Sequence, residues 1–110
     1  SDWYWEQDAE GKVTAFSGPV HEMLGIGHGQ PGDNGAADAG RSGWNEDERA
    51  ALDAKIANRQ PFLDFIYTRT APSGAVQYLQ VSGEPMFDAA SRFSGYRGVG
   101  MDVTERMTRA

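Results

Sequence analysis

From Pro61 onward the apolar residues of this chain recur with a period of two. The runs "PFLDFIYTR", "AVQYLQVSGEPMF" and "FSGYRGVGMDV" are separated only by the turn signals "APSG" and "DAAS". Alternation of this length, rich in β-branched and aromatic residues, is the pattern of strands. Connections this short force consecutive strands to run antiparallel. The opening "DWYWEQD" alternates in the same way, placing Trp3 and Trp5 on one face and Tyr4 on the other. "AEGK" is a turn around Gly11 and "VTAFS" at 13–17 a second strand, so 2–17 reads as a hairpin.

Between these two sets of strands the pattern turns helical. Pro19 followed by Val20, Met23 and Leu24 predicts one or two helical turns stopped at Gly25. Asn45 with Glu48 three residues on is a capping box, opening a helix that runs to Asn58 with Leu52 and Ile56 on a narrow apolar stripe. Residues 25–43 hold seven glycines and one proline with almost nothing apolar. That segment cannot build core, and it is expected to be a mobile crossing loop, with a lid over a pocket as the alternative and a helical turn at Ala36–Ala39 within it. The class is therefore α+β: a five-stranded antiparallel sheet with helices on one face, in a single domain spanning 1–110. A chain of this length buries roughly 65% of its unfolded surface, enough for one core.

Several chemistries are excluded or left without residues. There is no cysteine among the 110 residues, so disulfides, thiolate nucleophiles and cysteine-held metals are ruled out. A net charge of −6 with scattered acids offers no basic stripe for phosphates and no attraction to an anionic membrane surface. No apolar run approaches the ~20 residues that span a bilayer. The domain is expected in the cytoplasm, with a membrane-anchored parent compatible. A chain opening at Ser1 reads as a piece of something longer. His21 and His28 have no ligand partner at helical or hairpin spacing and sit in no hydrolase motif. Asp47 and Glu48 are more simply first-turn helix residues that suit the macrodipole than an acid–base pair.

The stretch "GYRGVGMDVTER" at 95–106 needs separate treatment. Its G-x-x-G-x-G is neither the Walker A nor the dinucleotide pattern, and the ten residues after Gly100 leave no room for a crossover helix. As a strand it puts Tyr96, Gly98, Gly100 and Asp102 on one face, and Arg97, Val99, Met101 and Val103 on the other. Glycines at successive positions on one face admit a helix, a neighbouring strand's side chains or a ligand close to the backbone. Thr104 is the expected N-cap of a helix beginning there, with Glu105 in its first turn.

Taken together, these stretches resemble the PAS domain, a sensory module of bacterial signalling proteins. "DWYWEQDAEGKVTAFS" resembles the family's opening hairpin. "RQPFLDFIYTR", "PSG" and "VQYLQVSGEPMFD" resemble its central strand pair, including the step at Ser82, Gly83 and Pro85. "GYRGVGMDVTER" resembles its last strand and its D-[IV]-T-E-R junction, here Asp102, Val103, Thr104, Glu105 and Arg106. The glycine-rich 25–43 segment departs from the family, which usually has short helices there.

The resemblance implies sheet order 2-1-5-4-3, helices enclosing a pocket on one face, and 104–110 as the start of an outgoing signalling helix. It implies that Asp102 and Thr104 couple the last strand to that helix, with Glu105 and Arg106 completing the junction; simple capping is the plainer role for the same residues. The output would be a fused effector, a histidine kinase of a two-component system or a cyclic-di-GMP enzyme. Trp44, Leu52, Ile56, Phe65, Tyr67, Val81 and Val99 are the candidates for pocket lining or ordinary core. Without cysteine a cysteinyl-flavin adduct is excluded, and 46–58 lacks the histidine that haem-binding members use. A non-covalent flavin, a small metabolite or no cofactor at all fits the residues. The alternatives are a ligand-free PAS homodimerisation domain and, more remotely, a small α+β enzyme, for which no ionisable cluster stands out.

Overall fold

The computed structural model of the protein describes residues 2–17 and 43–109. The helix expected after Pro19, both histidines and the glycine-rich segment up to 42 lie outside the described residues. Strands β1 (Asp2–Asp8) and β2 (Val13–Ser17) form the opening hairpin. Helix α1 (Glu46–Ala57) follows, then β3 (Phe62–Thr70), β4 (Val76–Phe87) and β5 (Phe93–Asp102), and a short helix α2 (Thr104–Thr108). All pairings are antiparallel, as the short turns lead one to expect, and the sheet order is β2-β1-β5-β4-β3, as the resemblance implies.

Two of the hairpin turns use one device. The Asp8 carboxylate accepts from the Glu10 and Lys12 amides, and Asp88 does the same for Ala90 and Arg92. A short acceptor side chain satisfying amides two and four residues on holds the chain reversal. At the third hairpin, Ser73 Oγ accepts from the Ala75 amide.

The inner face of the sheet, toward α1, carries the core: Trp3, Trp5, Phe62, Tyr67, Leu79, Val81 and Tyr96, with Leu52 reaching down from the helix. Trp3 pairs with Gly100 and Trp5 with Gly98 across the β1–β5 ladder. A methyl group at either glycine would collide with the paired indole, and at Gly98 also with the Ser82 carbonyl oxygen. Of the three visitors those glycines could admit, the one present is a neighbouring strand's side chain.

Helix α1 is fixed at both ends by the sheet. Asn45 Oδ1 accepts from the Glu48 amide as N-cap, while Glu48 Oε1 accepts from both the amide and the hydroxyl of Thr68 on β3. At the other end the chain leaves through Arg59 at φ 56°, and the Tyr96 hydroxyl of β5 reaches the carbonyls of Gln60 and Lys55 at 2.9 and 3.2 Å.

Candidate functional site

Two regions of the fold hold most of the residues singled out from the sequence: the space between α1 and the inner face, and the junction from β5 into α2. Val81 on β4, Leu52 and Ile56 on α1, and Phe62 on β3 line a cavity of ≈ 90 Å³ between helix and sheet. Trp5 adds to its apolar wall, and Gln7, Arg49 and Asp53 bring polar groups to it, Arg49 Nε lying 3.6 Å from Asp53 Oδ1. Of the seven residues singled out from sequence, the cavity thus brings together Leu52, Ile56 and Val81. Phe65, opposite Val81 in the ladder, is half-buried against the core.

Trp44 and Tyr67 belong to the same core but do a different job. Trp44 bridges to Arg69 at the edge of β3, and its ring stacks on Tyr67 with centroids 4.3 Å apart at 17°. The Arg49 guanidinium lies 4.8 Å from the Trp44 ring centroid. Burial pushes the Tyr67 phenol far above its usual pKa, the nearby Arg49 and Arg69 only partly opposing this. Tyr96 is raised for the same reason.

Val99, a candidate for pocket lining or core, is set apart from the other six. It sits on the outer face, 54% exposed, because Gly98 and Gly100 take the inward positions on either side of it. It lines a groove of ≈ 520 Å³ with Tyr4, Leu63, Ser82, Glu84 and Arg97, on the opposite side of the sheet from the other six. Arg97 Nε donates to Glu84 Oε1 at 2.9 Å, which raises the arginine pKa further, and the Tyr4 hydroxyl donates to Glu6, which raises the phenol.

At the junction, Asp102 ends β5 and its Oδ1 accepts from the Thr104 amide at 2.8 Å. Thr104 is not the N-cap expected from the sequence. Val103 occupies that position without a side-chain cap bond, and the Thr104 hydroxyl turns to the sheet instead. There Oγ1 accepts from the Tyr78 amide at 2.8 Å, while the Val103 amide donates to the Tyr78 carbonyl at 2.8 Å. The edge of β4 opposite the junction would otherwise leave those Tyr78 groups open, so the hydroxyl has a stronger claim there than at the helix start. Val103 itself is buried. Glu105 pairs with Arg109 along the exposed side of α2, and Arg106 Nη2 donates to Gln80 Oε1 at 2.7 Å. Tyr78 and Gln80 escape sequence reasoning because only the β4–β5 register sets them beside the junction.

Among the described residues no cluster of three or more histidine or carboxylate side chains is arranged to hold a metal ion. No helix among them is long and apolar enough to cross a membrane.

No family model matches the sequence, and no curated protein matches it. Solved structures do match in fold. The N-terminal domain of a diguanylate cyclase with PAS/PAC sensor from Marinobacter aquaeolei superposes with TM-score 0.67 at 9% identity, covering 97% of this chain and 99% of that one. A sensory box histidine kinase/response regulator from Burkholderia thailandensis gives 0.55 at 22% identity, covering 96% and 79%. An RNA-binding light-oxygen-voltage receptor gives 0.64 at 20% identity; 96% of this chain is covered but only 30% of the receptor's. The likeness to these neighbours is one of fold, and the chain has the PAS fold.

Proposed function

We propose that this chain is a sensory and regulatory PAS module of a signal-transduction protein, passing its signal through α2 to a fused effector such as a histidine kinase or a cyclic-di-GMP enzyme. The observation that carries this reading is the junction. Asp102, Val103 and Thr104 are held to one another and to both backbone groups of Tyr78, so a movement of β4 or β5 changes how α2 leaves the sheet. The fold neighbours support it: they include domains of a sensory histidine kinase and of a diguanylate cyclase. In this reading catalysis belongs to the effector, and this domain shifts the populations of its states.

The input is a small molecule held non-covalently between α1 and the sheet, with homodimer contacts as a further route. The described part of that cavity, ≈ 90 Å³, is well below the about 300–1,000 Å³ that holds a drug-sized ligand. The described residues therefore do not by themselves enclose a flavin.

Replacing Asp102 and Thr104 by alanine in the full-length protein is expected to uncouple output from input while the domain stays folded. Unchanged regulation in that double variant overturns the proposal. The filling of the inner face by Trp3, Trp5, Phe62, Tyr67 and Tyr96 favours a second reading, a PAS dimerisation domain without a ligand. Mass spectrometry and absorbance of natively purified protein separate the two: a co-purifying molecule supports the sensor, and none supports the dimerisation domain.

A further inference from the structure

The outer face of the sheet carries a line of side-chain hydrogen bonds that the junction itself does not need. At one end is a bulge in β3. Phe62 pairs with Gly83 and Phe65 with Val81, so Leu63 and Asp64 together oppose Ser82. Asp64 adopts φ 53°, a left-handed conformation that aspartate and asparagine tolerate better than most side chains, and its amide donates to Ser82 Oγ at 2.9 Å. The bulge turns Leu63 out to 81% exposure beside the outer groove.

At the other end is Arg106 on α2. Gln80, on β4, spans the distance between them: Oε1 accepts from Arg106 Nη2 at 2.7 Å, and Nε2 donates to Asp64 Oδ1 at 2.9 Å. A primary amide can accept from a guanidinium and donate to a carboxylate at once, and only one orientation of the amide satisfies both neighbours. A glutamate in its place would repel Asp64, and a lysine would repel Arg106. Ile66 and Met101 pair with Gln80 from the flanking strands and border its stem.

We infer that Gln80 is a positioning residue that couples the conformation of the β3 bulge to the placement of α2. A change at the bulge, such as pressure on Leu63 from an occupant of the outer groove, moves the Asp64 carboxylate. The Gln80 amide, no longer fixed in orientation by that carboxylate, then holds Arg106 less firmly, and α2 is loosened. The inference rests on α2 being the exit for the signal, but the coupling is measured without any effector.

The test is amide hydrogen exchange on the 110-residue chain, read at Met107, whose amide donates to the Val103 carbonyl at 2.9 Å. Asp64→Gly keeps the left-handed backbone and deletes the acceptor. It is expected to speed exchange at Met107 about two- to five-fold, the effect of losing one exposed hydrogen bond, with core amides such as Leu79 unchanged. Asp64→Asn, which retains an Oδ1 acceptor, is expected to restore wild-type exchange. Gln80→Leu is expected to loosen α2 equally, and Asp64→Gly to add nothing in that background. Unchanged Met107 exchange in Asp64→Gly overturns the coupling. So does an equal acceleration at Leu79, a failed rescue by Asp64→Asn, or an additive double variant. Each of these leaves the functional reading standing, because that reading is decided by the Asp102 and Thr104 variants.

Discussion

The indole of Trp3 occupies the space that a side chain at Gly100 would need, and the two residues are direct partners across β1 and β5. The arrangement repeats one step along the ladder with Trp5 and Gly98. Both aromatic rings are almost wholly buried, so a large share of the core depends on two positions having no Cβ. Gly100→Ala is expected to cost about 1–3 kcal/mol, the usual range for overpacking. Gly98→Ala should cost more, because its methyl also meets a backbone oxygen that cannot rotate away. Urea denaturation midpoints test both, and an effect at Gly100 that shrinks in a Trp3→Leu background identifies the ring as the cause.

Tyr96 ties the last strand to the end of α1 through its hydroxyl. Tyr96→Phe keeps the ring in the core and removes only the bond to the Gln60 and Lys55 carbonyls. A loss of about 1 kcal/mol is expected. Hydrogen exchange should quicken at the Asn58 and Arg59 amides, which close the last turn of α1, more than at the start of that helix.

Tyr67 gives the fold a sensitivity to alkali. Burial disfavours its phenolate, so the folded state keeps its proton at pH values where the unfolded chain, with a tyrosine pKa near about 10, has released it. The folded state then binds more protons, and stability falls as pH rises. The contribution is fully present below about pH 10 and declines above it by about 1.4 kcal/mol per pH unit. Tyr96, raised by burial as well, acts in the same direction. Urea denaturation midpoints measured across alkaline pH should show this slope, and Tyr67→Phe should reduce it.

Glu48 holds the N-terminal end of α1 to the edge of the sheet by accepting two hydrogen bonds from Thr68, each at 2.8 Å. Glu48→Ala is expected to cost about 1–2 kcal/mol and to expose the Thr68 amide to exchange. Glu48→Gln retains an acceptor and should lose less, since only the charge assistance is gone. Equal losses in the two variants would show that packing, and not the hydrogen bonds, fastens the helix.

Local pattern settled much of this protein before any tertiary contact was considered. Period-two alternation marked the five strands, Asn45 and Glu48 marked the start of α1, and the short turns fixed antiparallel neighbours. These are near-neighbour effects, written in residues a few positions apart. Val99, Thr104, Tyr78 and Gln80 were decided differently. The alternation sets Val99 on the face opposite Gly98 and Gly100, but only the indoles of another strand, seated on those glycines, show that the glycine face is the inward one. Thr104 has the chemistry of an N-cap, but its hydroxyl is drawn to a β4 amide 26 positions earlier in the chain. Tyr78 and Gln80 acquire their partners only when β4 registers between β5 and β3. The sequence by itself determined the five strands, α1 and the hairpins that join neighbouring strands, because backbone propensity and side-chain period are local. Only the tertiary structure decided which face of the sheet turns inward and which groups meet at the exit of the sheet, because strand register brings together residues whose separation in sequence carries no signal.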